Sequence, residues 1–223
     1  NTKPKLAPSF INNNSEAYEY YLKAKYKIEK QEKPEDFTIG IELVEKAMDL
    51  DDDLIEAKLL RIRIHGIKGE FKEFVKLSDK VIEKAKSANQ KKYLALAYIT
   101  KGIQLFMQNV VIDNVRLKDT TQEFWDEILD NFKQACQIAK ETNNIKQLAK
   151  AKFLYAIVYR SQGKINDELN CIKESIEINK KIDDWEGLSH NYFEIGNTYK
   201  EIGDYSKSLE YTKKGLSIVN NKD

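Results

Sequence analysis

Cys136, Cys171, His65 and His190 nearly exhaust the soft ligands and soft nucleophiles in this sequence. No Cys-x-x-Cys or His-x-x-x-His spacing joins them, so they do not make a tetrahedral zinc set. Each cysteine stands among apolar neighbours at helical spacing, the setting of a small buried thiol. His65 and Cys136 have no evident base or nucleophile partner along the chain. Asp51, Asp52 and Asp53 form an acidic cluster, but the surrounding positions lack the glycine and distal glutamate of a calcium loop. They are expected to punctuate a junction and to favour the next helix through its dipole. Neither Gly-x-Gly-x-x-Gly nor Gly-x-x-x-x-Gly-Lys-Ser/Thr occurs, so no loop of that kind cradles a phosphate. The residues therefore assign no catalytic site, metal or cofactor, and the chain is expected not to be an enzyme.

The composition asks for extended helical surface. Lys plus Arg is 37 and Asp plus Glu is 36, a net charge of +1. That balance gives no general attraction to nucleic acid, and none is expected as a partner. Charged residues make up 33% of the 223 residues and prolines number three, a mixture suited to long solvated helices. The 41% hydrophobic content exceeds that of a disordered chain. No apolar run has the length of a membrane span, so no membrane is expected as a partner. Two cysteines mildly favour a reducing compartment, and the expected placement is cytoplasmic, with a sensor arm outside the membrane as the alternative. The chain begins at Asn1 without a signal-peptide pattern and reads as a piece of a longer protein.

The elements that position these residues follow from an internal repeat. A shift of 40 residues carries Gly163 onto Gly203, and it pairs Leu148 with Leu188, Tyr159 with Tyr199, Leu169 with Leu209 and Ile178 with Ile218. The same step of 40 separates Gly69 from Asn109, and Asn109 to Gly163 is 54, or 40 plus an insertion of about 14 residues. Seven residues before each turn stand Ile62, Gly102, Ala156 and Gly196; twelve after it stand Val81, Ala135, Ser175 and Gly215. Small residues recur where two helices approach closely. The column four residues before the turn holds His65, Leu105, Tyr159 and Tyr199, which assigns His65 to packing. A first copy precedes these, with one helix from Ala17 to Lys30 and its partner from Ile39 to Leu50, joined through Pro34. Apolar residues fall at helical period, as in Leu209, Leu216 and Val219, and no stretch alternates long enough for a strand. An all-α fold of ten helices in five antiparallel pairs is expected, with repeats at about 15–51, 52–88, 90–142, 145–182 and 185–220. One pair cannot bury its apolar stripe alone, so the pairs must stack.

The run Asn191 to Ile218 resembles a tetratricopeptide repeat, on Ile195, Gly196, Tyr199, Gly203, Asp204, Tyr205 and Leu209. Ser208 and Gly215 stand where that family most often has alanine. The resemblance extends over about 15–220 and loosens in the second and third repeats, where Ile62 replaces the small residue and Asn109 the turn glycine. The step of 40, with Ile182 to Leu188 entering a helix, is similar to the lengthened variety in bacterial signalling proteins. Glu16 to Ala24 followed by Ile41 to Ala47 resembles the repeat region joined to class III nucleotidyl cyclases and winged-helix regulators. The resemblance implies a right-handed superhelix with the first helix of each pair on its concave side. It also implies a non-catalytic protein-interaction module.

On those first helices the residues not spent on pair packing are expected to include Tyr21, Lys25, Leu59, Arg63, Ile103, Phe106, Phe153, Ile157, Arg160, Phe193, Asn197 and Lys200. They would form a groove for a peptide or helix, with apolar anchors among Phe106, Phe153 and Phe193. Lys25, Arg63, Arg160 and Lys200 would meet carboxylates of the ligand. The alternative is that the apolar members pack neighbouring first helices together. Some members of the family clamp a chaperone's C-terminal carboxylate; here Tyr21, Leu59, Ile99, Phe153 and Phe193 stand where that clamp needs a basic residue, and Asn197 alone matches.

Three segments fall outside the regular pattern. Residues 1–14, with Pro4 and Pro8, read as a linker, in which Phe10 and Ile11 are candidates to pack on the first helix. The insertion at 110–123 could fold over the groove through Val111, Ile112 and Leu117 or run over the surface. After Ile218 no capping helix follows in this sequence, so another segment of the parent, or a second copy making a homodimer, is expected to cover Leu209, Leu216 and Val219. The functional alternatives are thus peptide capture and a regulatory or dimerising arm of a larger bacterial signalling protein such as a cyclase, sensor kinase or transcription regulator.

Overall fold

The computed structural model describes residues 13–111 and 121–220. These form ten helices and, among the described residues, no strand. They are α1 (Asn13–Lys30), α2 (Asp36–Leu50), α3 (Ile55–Lys68), α4 (Phe71–Ser87), α5 (Lys91–Val111), α6 (Gln122–Glu141), α7 (Ile145–Ser161), α8 (Ile165–Lys181), α9 (Trp185–Glu201) and α10 (Tyr205–Asn220). The fold is an all-α helical repeat. Of the segments set apart in the sequence, the linker lies outside the described residues except for Asn13 and Asn14, which open α1. Most of the insertion, at 112–120, also lies outside them.

One turn design recurs. Gly69, Gly163 and Gly203 take φ of 73°, 72° and 84°, and Asn89, Asn143 and Asp183 take 51°, 51° and 52°. These left-handed residues alternate between turns within a repeat and turns between repeats. Glycine has no Cβ to clash there, and Asn and Asp tolerate the region through their short polar side chains. Behind each of them the next backbone N–H reaches back five residues: Glu70 to His65, Gln90 to Ala85, Asn144 to Ala139, Lys164 to Tyr159, Asp184 to Asn179 and Asp204 to Tyr199, all between 2.8 and 3.0 Å. This is the helix-terminating bond of the Schellman motif, and it satisfies carbonyls that the helix end would orphan. In three turns the following residue is at once an N-cap: Asn144, Asp184 and Asp204 accept from the N–H of Gln147, Gly187 and Lys207 at 3.2, 3.0 and 3.1 Å.

Three junctions differ, and at the first, between α1 and α2, Gln31 has φ of 44° and its own N–H reaches back four residues to Lys27. Asn109 was expected at a turn, but α5 continues through it to Val111. Nothing between Met107 and Val111 is a glycine or proline that would stop a helix. Between α2 and α3, Asp51 accepts from the N–H of Asp53 at 2.8 Å and Asp52 pairs with Lys58 at 2.8 Å, so the acidic cluster does punctuate a junction.

The helices group into two compact units, one ending at Val81 and the other beginning at Ile82. In the first, Ala24 and Ile28 of α1, Val44 and Ala47 of α2, and Ala57, Leu60 and Ile64 of α3 form one cluster. In the second, Leu105, Trp125, Ile128, Phe132 and Val158 join α5, α6 and α7, and Ala156, Ile172, Ile176, Leu188 and Ile195 join α7, α8 and α9. Every cluster takes residues from three consecutive helices, because two helices leave one side of their shared stripe in water. The small-residue column has the expected cause. A Cβ on Gly196 would come within 3.2 Å of the Ser208 carbonyl oxygen of α10, a backbone atom that cannot step aside.

The turn design is testable without touching any core. A Cβ on Gly163 would meet nothing within 4 Å, so Gly163→Ala isolates the left-handed backbone. Urea unfolding should show a loss of about 1 kcal/mol. Asn143→Gly, at a turn closed by the same bond, should change stability by less than about 0.5 kcal/mol.

Candidate functional site

Asn144 and Asp184 cap the starts of α7 and α9, which touch one another and both pack on α8. Between them lies a cleft of about 380 Å³. Lys146, Lys150, Phe153 and Leu154 line it from α7, Glu186, Gly187 and His190 from α9, and Ser175 and Asn179 from α8. Its floor is polar and ordered. Ser175, buried, donates to the Ala149 carbonyl at 3.0 Å, and its oxygen accepts from Asn191 Nδ2 at 3.0 Å. Asn179 Nδ2 lies 3.5 Å from the same oxygen. Asn179 also rests against the backbone of Gly187, where a Cβ would sit 2.7 Å from its Nδ2. At the rim Lys146 pairs with Asp184 at 3.5 Å. The result is a half-apolar trough whose floor polar groups are held by one another and whose rim carries both signs of charge.

Of the twelve residues expected in a groove, Phe153 alone lines this cleft. Ile103 and Phe106 pack into the α5–α6 core, Phe106 with its ring centroid 6.4 Å from that of Trp125. The Phe193 ring covers Gly215 of α10, whose Cβ would stand 3.2 Å from it, so Phe193 fills its own pair. Arg160 is taken by Glu194 across the first helices of two successive repeats. Ile157 of α7 is half-buried, and Asn197 and Lys200 are both exposed on α9. In the first unit Tyr21 packs against the α1–α3 core, Lys25 is exposed, and Arg63 meets Glu29 at 3.4 Å. Leu59 is corrected outright: at 7% exposure it belongs to the core, not to a groove wall. His65 does have a carboxylate partner, with its Nδ1 2.7 Å from Glu70 Oε2 across the α3–α4 turn. Pairwise spacing along the chain does not show such a contact, since it depends on how the turn closes.

Lys146, Lys150, Glu186, His190 and the floor amides were not identified in the sequence. One signal was there: Ser175 is the only hydroxyl in a column otherwise held by Val81, Ala135 and Gly215.

Behind the cleft, α8 and α9 are joined by a second buried polar contact. Glu168 of α8 is 0% exposed and meets the Thr198 hydroxyl. Its other oxygen, Oε2, is buried without a hydrogen-bond partner. Thr198 Oγ1 also reaches the Glu194 carbonyl at 2.9 Å. A hydroxyl has one proton. It can therefore donate to the Glu168 carboxylate or to the Glu194 carbonyl, not to both at once. Burial pushes Glu168 above the usual carboxylate range, partly offset by the Thr198 bond and Arg160, while Glu201 and Glu194 raise it further. Among the described residues no group of three or more His, Cys, Asp or Glu side chains could hold a metal ion.

No family model matches this chain. It is similar to the heat shock protein STI1 of Saccharomyces cerevisiae, with 22% identity over 94 residues, which are 42% of this chain and 15% of the yeast protein. Among solved structures it is similar to BtubC from P. vanneervenii, with a TM-score of 0.59 and 14% identity, covering 96% of this chain and 75% of that one. It is also similar to aspartyl phosphate phosphatase F from Bacillus subtilis, with a TM-score of 0.62 and 13% identity, covering 93% of this chain and 60% of that one. At these identities the likeness is one of fold, a helical repeat of the tetratricopeptide type.

The Glu168 contact has a pH signature. A carboxyl whose native pKa is raised stabilises the fold fully at pH below its unfolded value, and that stability is lost as pH rises through the native one. Glu168→Gln keeps the shape and removes the titration. Denaturation of both proteins at a series of pH values upward from the ordinary glutamate range should show the wild type losing stability relative to the variant as pH rises.

Proposed function

We propose that this chain is a non-catalytic protein-interaction module that captures a peptide or helix in the α7–α9 cleft. The observation that carries this reading is Phe153, a large ring facing an open trough while its counterpart Phe193 is spent on packing. Phe153 and Leu154 offer an apolar seat, and a side chain entering there loses water contact on both sides. Lys150, Glu186 and His190 offer charge at the rim, which sets orientation more than strength. The trough is carried on capped helices, so little ordering cost is left for the moment of binding. Among the described residues no helix is long and apolar enough to cross a membrane.

A second reading attaches to α10. The 40-residue shift maps Ile165, Leu169 and Ile176 of α8 onto Tyr205, Leu209 and Leu216. Of the α8 set, Leu169 and Ile176 belong to the α7–α9 core. Tyr205, Leu209, Leu216 and Val219 keep 70, 56, 49 and 51% of their surface exposed. A second copy laid on this face would make the module a dimerising arm. Light scattering should then give a dimer that Leu216→Glu returns to monomer.

The capture reading is checked with peptides selected from a random display library on the full chain. Phe153→Ser should weaken the binders at least tenfold with an unchanged far-ultraviolet dichroism spectrum. Phe193→Ser should instead cost stability, by about 3 kcal/mol, because it empties the space over Gly215.

A further inference from the structure

The opposite side of α7 carries a second concavity. Tyr155 and Tyr159 stand there one helical turn apart, stacked at 5.9 Å between centroids and 26° between planes. With α6 and α8 they enclose a cleft of about 480 Å³. Cys136 and Cys171 lie within it, both free. Burial pushes both thiols up, Cys171 to about 11, so at neutral pH they are protonated and act as apolar wall rather than as nucleophiles.

The rim has one sign of charge left over. Four ionised side chains line the cleft: Lys133, Lys140, Lys152 and Glu141. Lys152 is taken by Glu174 at 2.6 Å. Glu141 is taken by Lys91 at 3.0 Å and accepts from Gln137 at 3.1 Å. Among the described residues the ion pairs at this cleft are Lys91–Glu141 and Lys152–Glu174, and Lys133 and Lys140 are in none. They are exposed and seven residues apart on α6, two helical turns or roughly 10 Å along its axis. In a chain of net charge +1, two lysines thus stand on the lining beside an aromatic wall, while Asp130 and Asp167 act on that wall from outside the lining.

We propose that this cleft is a binding site for an acidic peptide segment carrying an aromatic or large aliphatic residue. The apolar side chain enters against Tyr155, Tyr159 and the two thiols. Carboxylates flanking it meet Lys133 and Lys140. In an extended strand roughly 10 Å is about three residues, so the ligand has an acidic residue on each side of the anchor, about three positions apart. The occupant follows from charge complementarity: a basic segment would add like charge to an unpaired pair of lysines, and a neutral one would leave both uncompensated. This site does not rest on the α7–α9 cleft, and either can exist without the other.

The test uses random twelve-residue peptides displayed against the full chain, with the enriched sequences made as fluorescein-labelled probes. The expected probes carry an aromatic or large aliphatic residue flanked by Asp or Glu and, in a Cys136→Ala background at about pH 9, where part of the Cys171 thiol ionises, slow its reaction with Ellman's reagent. Lys133→Glu/Lys140→Glu should weaken them at least tenfold, Lys133→Arg/Lys140→Arg should restore binding, and Phe153→Ser should leave it unchanged. Raising salt from 0.05 to 0.5 M should weaken them several-fold. The inference is overturned if no enriched probe protects Cys171, if enriched probes lack acidic residues, or if they bind the charge-reversed variant equally well. Probes that fail only on Phe153→Ser would belong to the α7–α9 cleft and would also overturn it.

Discussion

A helix hairpin in water keeps one side of its apolar stripe wet, and everything in this molecule answers that deficit. The third helix dries the stripe, but only if it arrives at a fixed angle. The turns provide the angle. A single left-handed residue, a bond reaching back five residues and an immediate N-cap leave almost no freedom between Asn179 and Gly187 or between Tyr199 and Lys207. Loop entropy is kept low, and each new helix is delivered onto the previous pair. Within each compact unit the core is accordingly built from small three-helix clusters.

Close approach then decides which side chains are free. Where Gly196 or Gly215 lets helices touch, a neighbouring side chain moves inward to fill the gap; Phe193 does so over Gly215. Phe153, one repeat earlier, occupies the corresponding place on its helix but faces Ser175, which is bonded to Ala149 and Asn191 and leaves the trough open. Two residues forty apart and of the same type thus have opposite fates because their partners on the second helix differ by one hydroxymethyl group.

Electrostatics works between repeats more than at the surface. Arg160–Glu194 and Arg63–Glu29 each tie first helices of successive repeats, and each consumes a guanidinium that a ligand would otherwise meet. Exposed pairs such as Lys214–Glu210 add little stability. The buried Glu168–Thr198 contact is different: it holds a carboxyl between α8 and α9 where burial favours the neutral form.

The repeat, the helices and most turns were legible because they are local and periodic. Gly163 and Gly203 mark left-handed backbone, and small residues at a step of 40 mark helix contacts, so residue types alone reveal them. Asn109 misled, since a turn residue without a helix stop beside it is carried along by the helix. The candidate site was legible only in Phe153. Whether an arginine is free, a phenylalanine is spent or a histidine has a partner depends on residues 5, 34 or 22 positions away, as in His65–Glu70, Arg160–Glu194 and Phe193–Gly215. The sequence by itself determined the all-α repeat and the period of its packing. Tertiary contact alone decided which side chains that packing consumed, because a side chain's partner is set by the space the neighbouring helix leaves.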